Sequence, residues 1–394
     1  MVARRSYGRL LAFLASRSRD VQLAEDCLGD AFRLALEHWP RSGVPDNPEG
    51  WLIQVARREV LGQARRRGVS ERAEPALALL AEERLAEPAA MLPDRRLQLL
   101  FACAHPAIAS DVHAPLMLQC VLGFDAVAIA RAWAVKPEAM GQRLVRAKSK
   151  LRGSGVPFAV PEAPELPERL PPVLDAIYAA FGLSWERLDD TLRQDWATEA
   201  LWLAELLTRL LPDPEALGLR ALMLYSHSRR AARRDDRGAF VPLEAQDTRR
   251  WDMDAITRAD DLLARAAHAG RPGRYQLEAA IQAVHAERRH TGRVATDALD
   301  VLHGRLRSIA PTLGNTVSHA AVLCRLGRAT ESLALLAGVE SAAGQYQPWW
   351  AVRAEALSSQ GDPAASAAYD RAIALSDDAA VKTWLKARRS PTQG

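Results

Sequence analysis

Two clusters of basic residues are the most chemically suggestive feature of this 394-residue chain. Residues 57–67 hold five arginines (Arg57, Arg58, Arg65, Arg66 and Arg67) against one Glu. Residues 136–152 hold six Lys or Arg against one Glu. Cations repeated along a helix neutralise phosphates, so both clusters read as candidate nucleic-acid surfaces. The basic excess is confined to one end. Residues 1–155 carry 23 Lys and Arg against 17 Asp and Glu, and the remainder carries 29 against 31.

Residues that could support catalysis are sparse. The chain lacks the phosphate-cradling patterns G-x-x-x-x-G-K-[ST] and G-x-G-x-x-G, the metalloprotease pattern H-E-x-x-H and the hydrolase elbow G-x-S-x-G. The adjacent carboxylates Asp235–Asp236 and Asp377–Asp378 fall in loop contexts, where solvated acids are the default. His285 sits on an amphipathic pattern, where an imidazole that packs or faces solvent is the simpler reading. Cys27, Cys103, Cys120 and Cys324 lie in apolar surroundings with no C-x-x-C spacing, and read as buried reduced thiols of a cytoplasmic protein. No catalytic residue, metal ligand or cofactor is assigned, and no enzyme is expected.

The elements that must position the basic residues are helical. The chain is 48% hydrophobic and 25% charged, ordinary for a globular protein, and alternating β-branched runs do not occur. An all-α fold is expected. No apolar run approaches the roughly 20 residues of a transmembrane helix. The opening "MVARRSYGRLLAFLAS" is broken by Gly8 and Arg9 and merges into an amphipathic pattern, so no secretory leader is expected.

A first domain is expected over 1–67. Asp20 is placed to cap a helix over about 20–38, with Ala24, Leu28, Ala31, Phe32 and Ala35 as its buried stripe. Asp26, Asp30, Arg33 and Glu37 fall on its other face, and Gly29 costs it about 1 kcal/mol of helix propensity. The connector "EHWPRSGVPDNPEGWL" follows, with three prolines and two glycines between Trp39 and Trp51. The next helix turns Trp51, Leu52, Val55, Ala56 and Leu61 inward and leaves its arginines outward.

Residues 68–93, rich in Ala, Glu and Pro, read as a linker. A second domain over 94–155 ends in a helix-turn-helix pattern. Asp125 caps a short helix with Ile129, Ala130 and Trp133 inward, "AVK" turns, and Pro137 opens the next helix. There Met140, Leu144, Ala147 and Leu151 are the buried stripe. Arg143, Arg146 and Lys150 share another face, with Gln142 beside them. Such a helix fits a major groove, its N-terminal Gln142 and Arg143 reaching base edges while Arg146, Lys148, Lys150 and Arg152 bind the backbone. A Pro-rich linker is expected over 156–166, and a larger helical domain over 167–394. In its tail "AAVLCRLGRATESLALLAG" aligns with "AEALSSQGDPAASAAYDRA", matching Ala320/Ala354, Leu323/Leu357 and Gly327/Gly361 at an offset of 34, the tetratricopeptide period.

The order of acidic helix, loop, "WLIQVAR", linker and basic helix-turn-helix resembles the extracytoplasmic-function (ECF) sigma factors. "GVPDNPEGWL", "EALGLRALMLYSHSRRAAR", "EAQDTRRWD" and "PGRYQLEAAIQAVHAE" are similar to the group of these with a TPR-like C-terminal extension. The resemblance implies a partner, core RNA polymerase, engaged through its β′ clamp helices and β flap. It implies that Asp26, Asp30, Arg33 and Glu37 dock on the clamp helices. The connector would capture a base flipped from the melted −10 element, with Asp46 and Asn47 as polar readers and Trp51 as a brace. Arg57, Arg58, Arg65, Arg66 and Arg67 would hold that strand's phosphates, and residues 137–152 would read the −35 duplex. The C-terminal domain would take a regulatory protein or ligand, and no membrane is implied. The competing reading is a degenerate sigma-like protein that regulates DNA or mimics a partner without initiating transcription.

Overall fold

The computed structural model describes residues 2–66, 94–133, 135–185 and 191–389. The fold is all-α: among the described residues there is no strand, only an isolated bridge between Arg234 and Phe240. The expected linker over 68–93 lies outside the described residues. The chain divides into two compact units, Met1–Leu206 and Leu207–Gly394.

The first unit contains α1 (Val2–Ser18), α2 (Val21–Ser42), α3 (Pro48–Arg66), α4 (Arg96–Cys103), α5 (Ser110–Leu122), α6 (Ala126–Ala132), α7 (Pro137–Gly153), α8 (Leu166–Trp185) and most of α9 (Thr191–Leu210). Asp20 caps α2 by accepting from the Leu23 amide at 3.1 Å. Ala24, Leu28, Ala31 and Ala35 are buried as their spacing predicts, while Phe32 is half-buried and stacks on Tyr7 at 6.5 Å.

Helix α1 joins segments expected to be separate domains. Its Leu10, Leu11 and Leu14 are fully buried, and it packs on α2 and α3 and also on α4 and α5. The approach to α5 depends on Gly8, where a Cβ would lie 1.8 Å from the Val121 carbonyl oxygen. Cys103 and Cys120 meet in the same interior. A hydrogen bond from Cys103 and burial push the Cys120 thiol well up. Cys27 is also buried, whereas Cys324 in the second unit is half-buried and donates to Ser332 Oγ at 3.1 Å.

The Pro-rich stretch does not end the first unit. A 3-10 turn at Ala163–Glu165 leads into α8, which packs on α4 and α5. Arg169 on α8 is 2% exposed and donates to the Phe101 carbonyl at 2.6 Å. Trp196 on α9 stacks on Phe124 at 4.1 Å. The division between the compact units falls at Leu206/Leu207, because α8, after the prolines, packs on α4 and α5.

The second unit contains α10 (Pro214–Ser228), α11 (Met253–Ala267), α12 (Arg274–Ala286), α13 (Arg288–Thr291), α14 (Thr296–Ile309), α15 (Leu313–Arg325), α16 (Ala329–Ala337), α17 (Glu340–Ala343), α18 (Gln347–Ser359), α19 (Ala364–Leu375) and α20 (Ala379–Arg389). Glu215 on α10 accepts from the Tyr275 and Gln276 amides at 2.9 and 3.2 Å, a carboxylate on the electropositive start of α12. Gly218 permits that crossing, since a Cβ there would sit 2.7 Å from the Gln276 nitrogen.

The 34-residue repeat has matching geometry in both copies. Ala320 and Ala354 are fully buried, Leu323 and Leu357 are buried, and Gly327 and Gly361 turn their helix pairs at φ 75° and 71°. The pairs α15/α16 and α18/α19 pack side by side. Of the paired acids, Asp378 caps α20 by accepting from the Ala380 and Val381 amides, and Asp235 accepts from its own loop. Both serve the backbone.

Candidate nucleic-acid and polymerase interface

The connector is shorter than its composition suggests. Helix α2 runs through Pro40 to Ser42, leaving only residues 43–47 outside helices. Pro40 is tolerated because it lies in the last turns, where it removes one hydrogen bond. Gly43, at φ 83°, then ends the helix with its amide on the Trp39 carbonyl. Asn47 starts α3: its side-chain oxygen accepts from the Gly50 amide at 3.0 Å, and Pro48 takes the first helical position. Trp39 and Trp51 meet edge to face at 5.6 Å, pinning the two helix ends together. Glu49 ties this end to α1 through Ser6 and Arg9. Asp46 and Asn47 are exposed at the turn, and so is Val44.

On α2 the charged face is open. Asp26, Arg33 and Glu37 are exposed and Asp30 is half-exposed. Arg33 bonds Glu37 at 2.9 Å and lies 3.6 Å from Asp30, so the face is partly self-neutralised. Gly29 shares this open side, with nothing within 4 Å of a Cβ built on it. Leu36, 78% exposed, adds an apolar side chain to this open face. Its position, one residue past the buried Ala35, puts it off the stripe.

On α3, Arg58 is exposed and Arg57 half-buried. Arg65 and Arg66 occupy the last turn, with side chains outside the described set, and Arg67 lies outside the described residues.

The α6–turn–α7 segment forms as its local signals require. The Ala128 amide bonds Asp125 at 2.7 Å, and Pro137 stands in the first turn of α7. Ile129, Ala130, Met140, Leu144, Ala147 and Leu151 are buried, while Trp133 is half-buried. Gln142, Arg143, Arg146 and Lys150 are exposed. Arg143 makes a long ionic contact, 3.9 Å to Asp111.

Lys148 is placed differently from the exposed basic face expected of it. Its side chain is 5% exposed and pairs with Glu25 on α2. Arg152, one turn on, reaches Asp20 at 3.5 Å, with its side chain still 49% exposed. Both sit at the edge of the buried stripe, and α2 lies against that edge with carboxylates facing them. Helical spacing identifies the stripe but cannot reveal the acidic neighbour. Tyr7 joins the group, its hydroxyl 3.4 Å from Glu25, and burial followed by the Glu25 charge raises its pKa strongly.

Residues 2–69, spanning α1 to α3, match the sigma-70 region 2 family, and residues 169–267, from α8 to α11, match a family of unknown function (DUF6596). Over 379 residues the chain is 35% identical to "Uncharacterized protein R00370" of Rhizobium meliloti (strain 1021), covering 93% of this chain and 89% of that protein. The chain belongs to the family of that Rhizobium protein. Its N-terminal domain is a sigma-70 region 2 domain. No solved structure matches the chain. Within the region 2 domain, α2 supplies the open charged face, residues 43–47 the turn, and α3 the arginine-bearing helix. No helix among the described residues is long and apolar enough to cross a membrane.

Proposed function

We propose that the chain is an ECF-type sigma factor that binds core RNA polymerase and directs it to a restricted set of promoters from the cytoplasm. The region 2 match carries this reading, because that domain is the part of a sigma factor that engages polymerase and melted DNA. In this reading Asp26, Asp30, Arg33 and Glu37 meet the β′ clamp helices, with Leu36 as an apolar anchor. Asp46 and Asn47 read the flipped base, Trp51 braces them through Trp39, and Arg57, Arg58 and Arg65–Arg67 hold the strand. A turn held by a stacked pair and a cap loses little entropy when it receives a base. Gln142, Arg143, Arg146 and Lys150 read the −35 duplex as a helix-turn-helix, with Lys148 and Arg152 following only if α7 leaves α2. The helical C-terminal unit is a TPR-like regulatory module. Run-off transcription with purified core enzyme tests the proposal. Initiation from a subset of genomic fragments is expected, and no initiation from any fragment would refute it.

The Glu25–Lys148 contact favours a second reading, a sigma-like protein that binds DNA or a partner without initiating, because it ties a −35 candidate to the first domain. Stoichiometric co-purification with core polymerase would count against it.

A further inference from the structure

The motifs that distinguish the second unit meet at one place. Arg229, at the end of α10, donates to Gln282 on α12. Arg288, just past α12, donates to the carbonyls of Glu244 and Gln246 and stacks on Trp251 at 5.2 Å. His285 lies on the same α12 and His303 on α14, which packs against it.

This meeting point has an excess of positive charge, with Arg229 buried, Arg288 half-buried and Arg325 exposed. Arg229 is 7% exposed, and its Nη1 has no hydrogen-bond partner among the described residues. His285 and His303 are 7% and 6% exposed, and the Nδ1 of each is also unpartnered. Three guanidiniums bear on His285, those of Arg229, Arg288 and Arg325. Among the described acceptors these three use, only Glu244 is a carboxylate; it pairs with Arg325 and is itself exposed. Among the described residues, two of the three positive charges are left without a carboxylate partner. A buried cation keeps its charge only when something compensates it, and native structures seldom leave buried donors empty.

We infer that the second unit binds a small doubly charged oxyanion, a phosphate or phosphomonoester, between Arg229, Arg288, Arg325, His285 and His303. Guanidinium forks match phosphate oxygens, and a dianion balances the two uncompensated charges where a monocarboxylate balances one. The orphaned Arg229 Nη1 supplies a donor, and the Nδ1 of each histidine supplies another in the tautomer that carries its proton there. Burial, then the Arg229 charge, holds the His285 pKa down to about 3, so an arriving anion reverses an existing repulsion. The inference is independent of the promoter-reading assignment.

The test is thermal unfolding of the full chain in inorganic phosphate, in glycerol phosphate, and in chloride or acetate at matched ionic strength. A ligand that binds only the folded state raises the midpoint with its concentration. Phosphate is expected to raise it above chloride and acetate, and Arg229→Met is expected to lose that rise. A larger rise with glycerol phosphate assigns the site to phosphomonoesters, and an equal or smaller one to free phosphate. Should Arg229→Met fail to fold, Arg325→Gln, whose side chain is 31% exposed, carries the same expectation. No phosphate-specific rise, or the same rise in the folded variant, overturns the site. An equal rise with acetate overturns the dianion assignment.

Discussion

Glu25 on α2 and Lys148 on α7 form an ion pair across 123 residues of sequence, with side chains 12% and 5% exposed. It joins the region 2 domain to the helix that carries the −35 candidates. Removing one partner of a buried pair leaves an uncompensated charge, at a cost of about 3–5 kcal/mol, whereas replacing both by apolar residues is often neutral. Glu25→Ala is therefore expected to destabilise the chain strongly in urea unfolding. Glu25→Leu with Lys148→Met is expected to recover most of the loss. Additive losses would show that the pair is not coupled.

Two glycines should respond with opposite signs. Gly8→Ala drives a Cβ into the Val121 carbonyl and forces α1 off α5, at roughly 1–3 kcal/mol. Gly29→Ala meets open space within α2 and is expected to stabilise by up to about 1 kcal/mol. Denaturation midpoints of the two variants check both.

Acid should weaken the second unit before its carboxylates titrate. His285 is held down to about 3 by burial and then by Arg229, Arg325, His303 and Arg288. His303 is held down to about 4 by burial, His319 and Arg325, against Asp300, which raises it. Both are neutral in the folded and unfolded states above the ordinary value of 6.5, where their contribution is full. Below it the unfolded chain takes up protons that the folded chain refuses. Each histidine then costs about 1.4 kcal/mol per pH unit. Unfolding free energy measured between about pH 7 and pH 5 should fall, and His285→Gln should flatten the slope.

Base reading and backbone binding should separate on α7. Arg143→Ala is expected to relax −35 preference by about 1–3 kcal/mol. Lys150→Ala should weaken binding to all sequences alike and lower the salt slope by about 1. Binding to specific and random duplexes across a salt series distinguishes them, and equal effects of both changes would refute the division.

At Asn47 the cap and the proposed base reader share one side chain. Asn47→Ser keeps an oxygen for the Gly50 amide but removes the carboxamide, whereas Asn47→Ala loses both and costs about 1 kcal/mol of stability. If Asn47 reads the promoter, Asn47→Ser keeps the midpoint and changes promoter choice in run-off transcription. Unchanged promoter choice would assign Asn47 to capping alone.

Local features were legible in the sequence because they depend on neighbours a few residues away. Asp20 and Asp125 cap their helices, Pro137 opens α7, and the stripe of Met140, Leu144, Ala147 and Leu151 is buried. The 34-residue offset aligned Gly327 with Gly361, and both adopt positive φ. The all-α fold followed from the same short-range signals.

What tertiary structure decided depends on which surfaces meet. Composition could not show that α2 runs through Pro40, since the Trp39–Trp51 contact that stabilises its end spans the turn. Periodicity placed Lys148 beside a buried stripe but not opposite Glu25. Nothing local revealed that α1 packs on both α3 and α5, or that helices after the prolines complete the first unit. The sequence places His285 on an amphipathic segment but does not link it to Arg229, Gln282 or Arg288. Packing alone made them neighbours, because helical period specifies a buried face and not the residues that cover it.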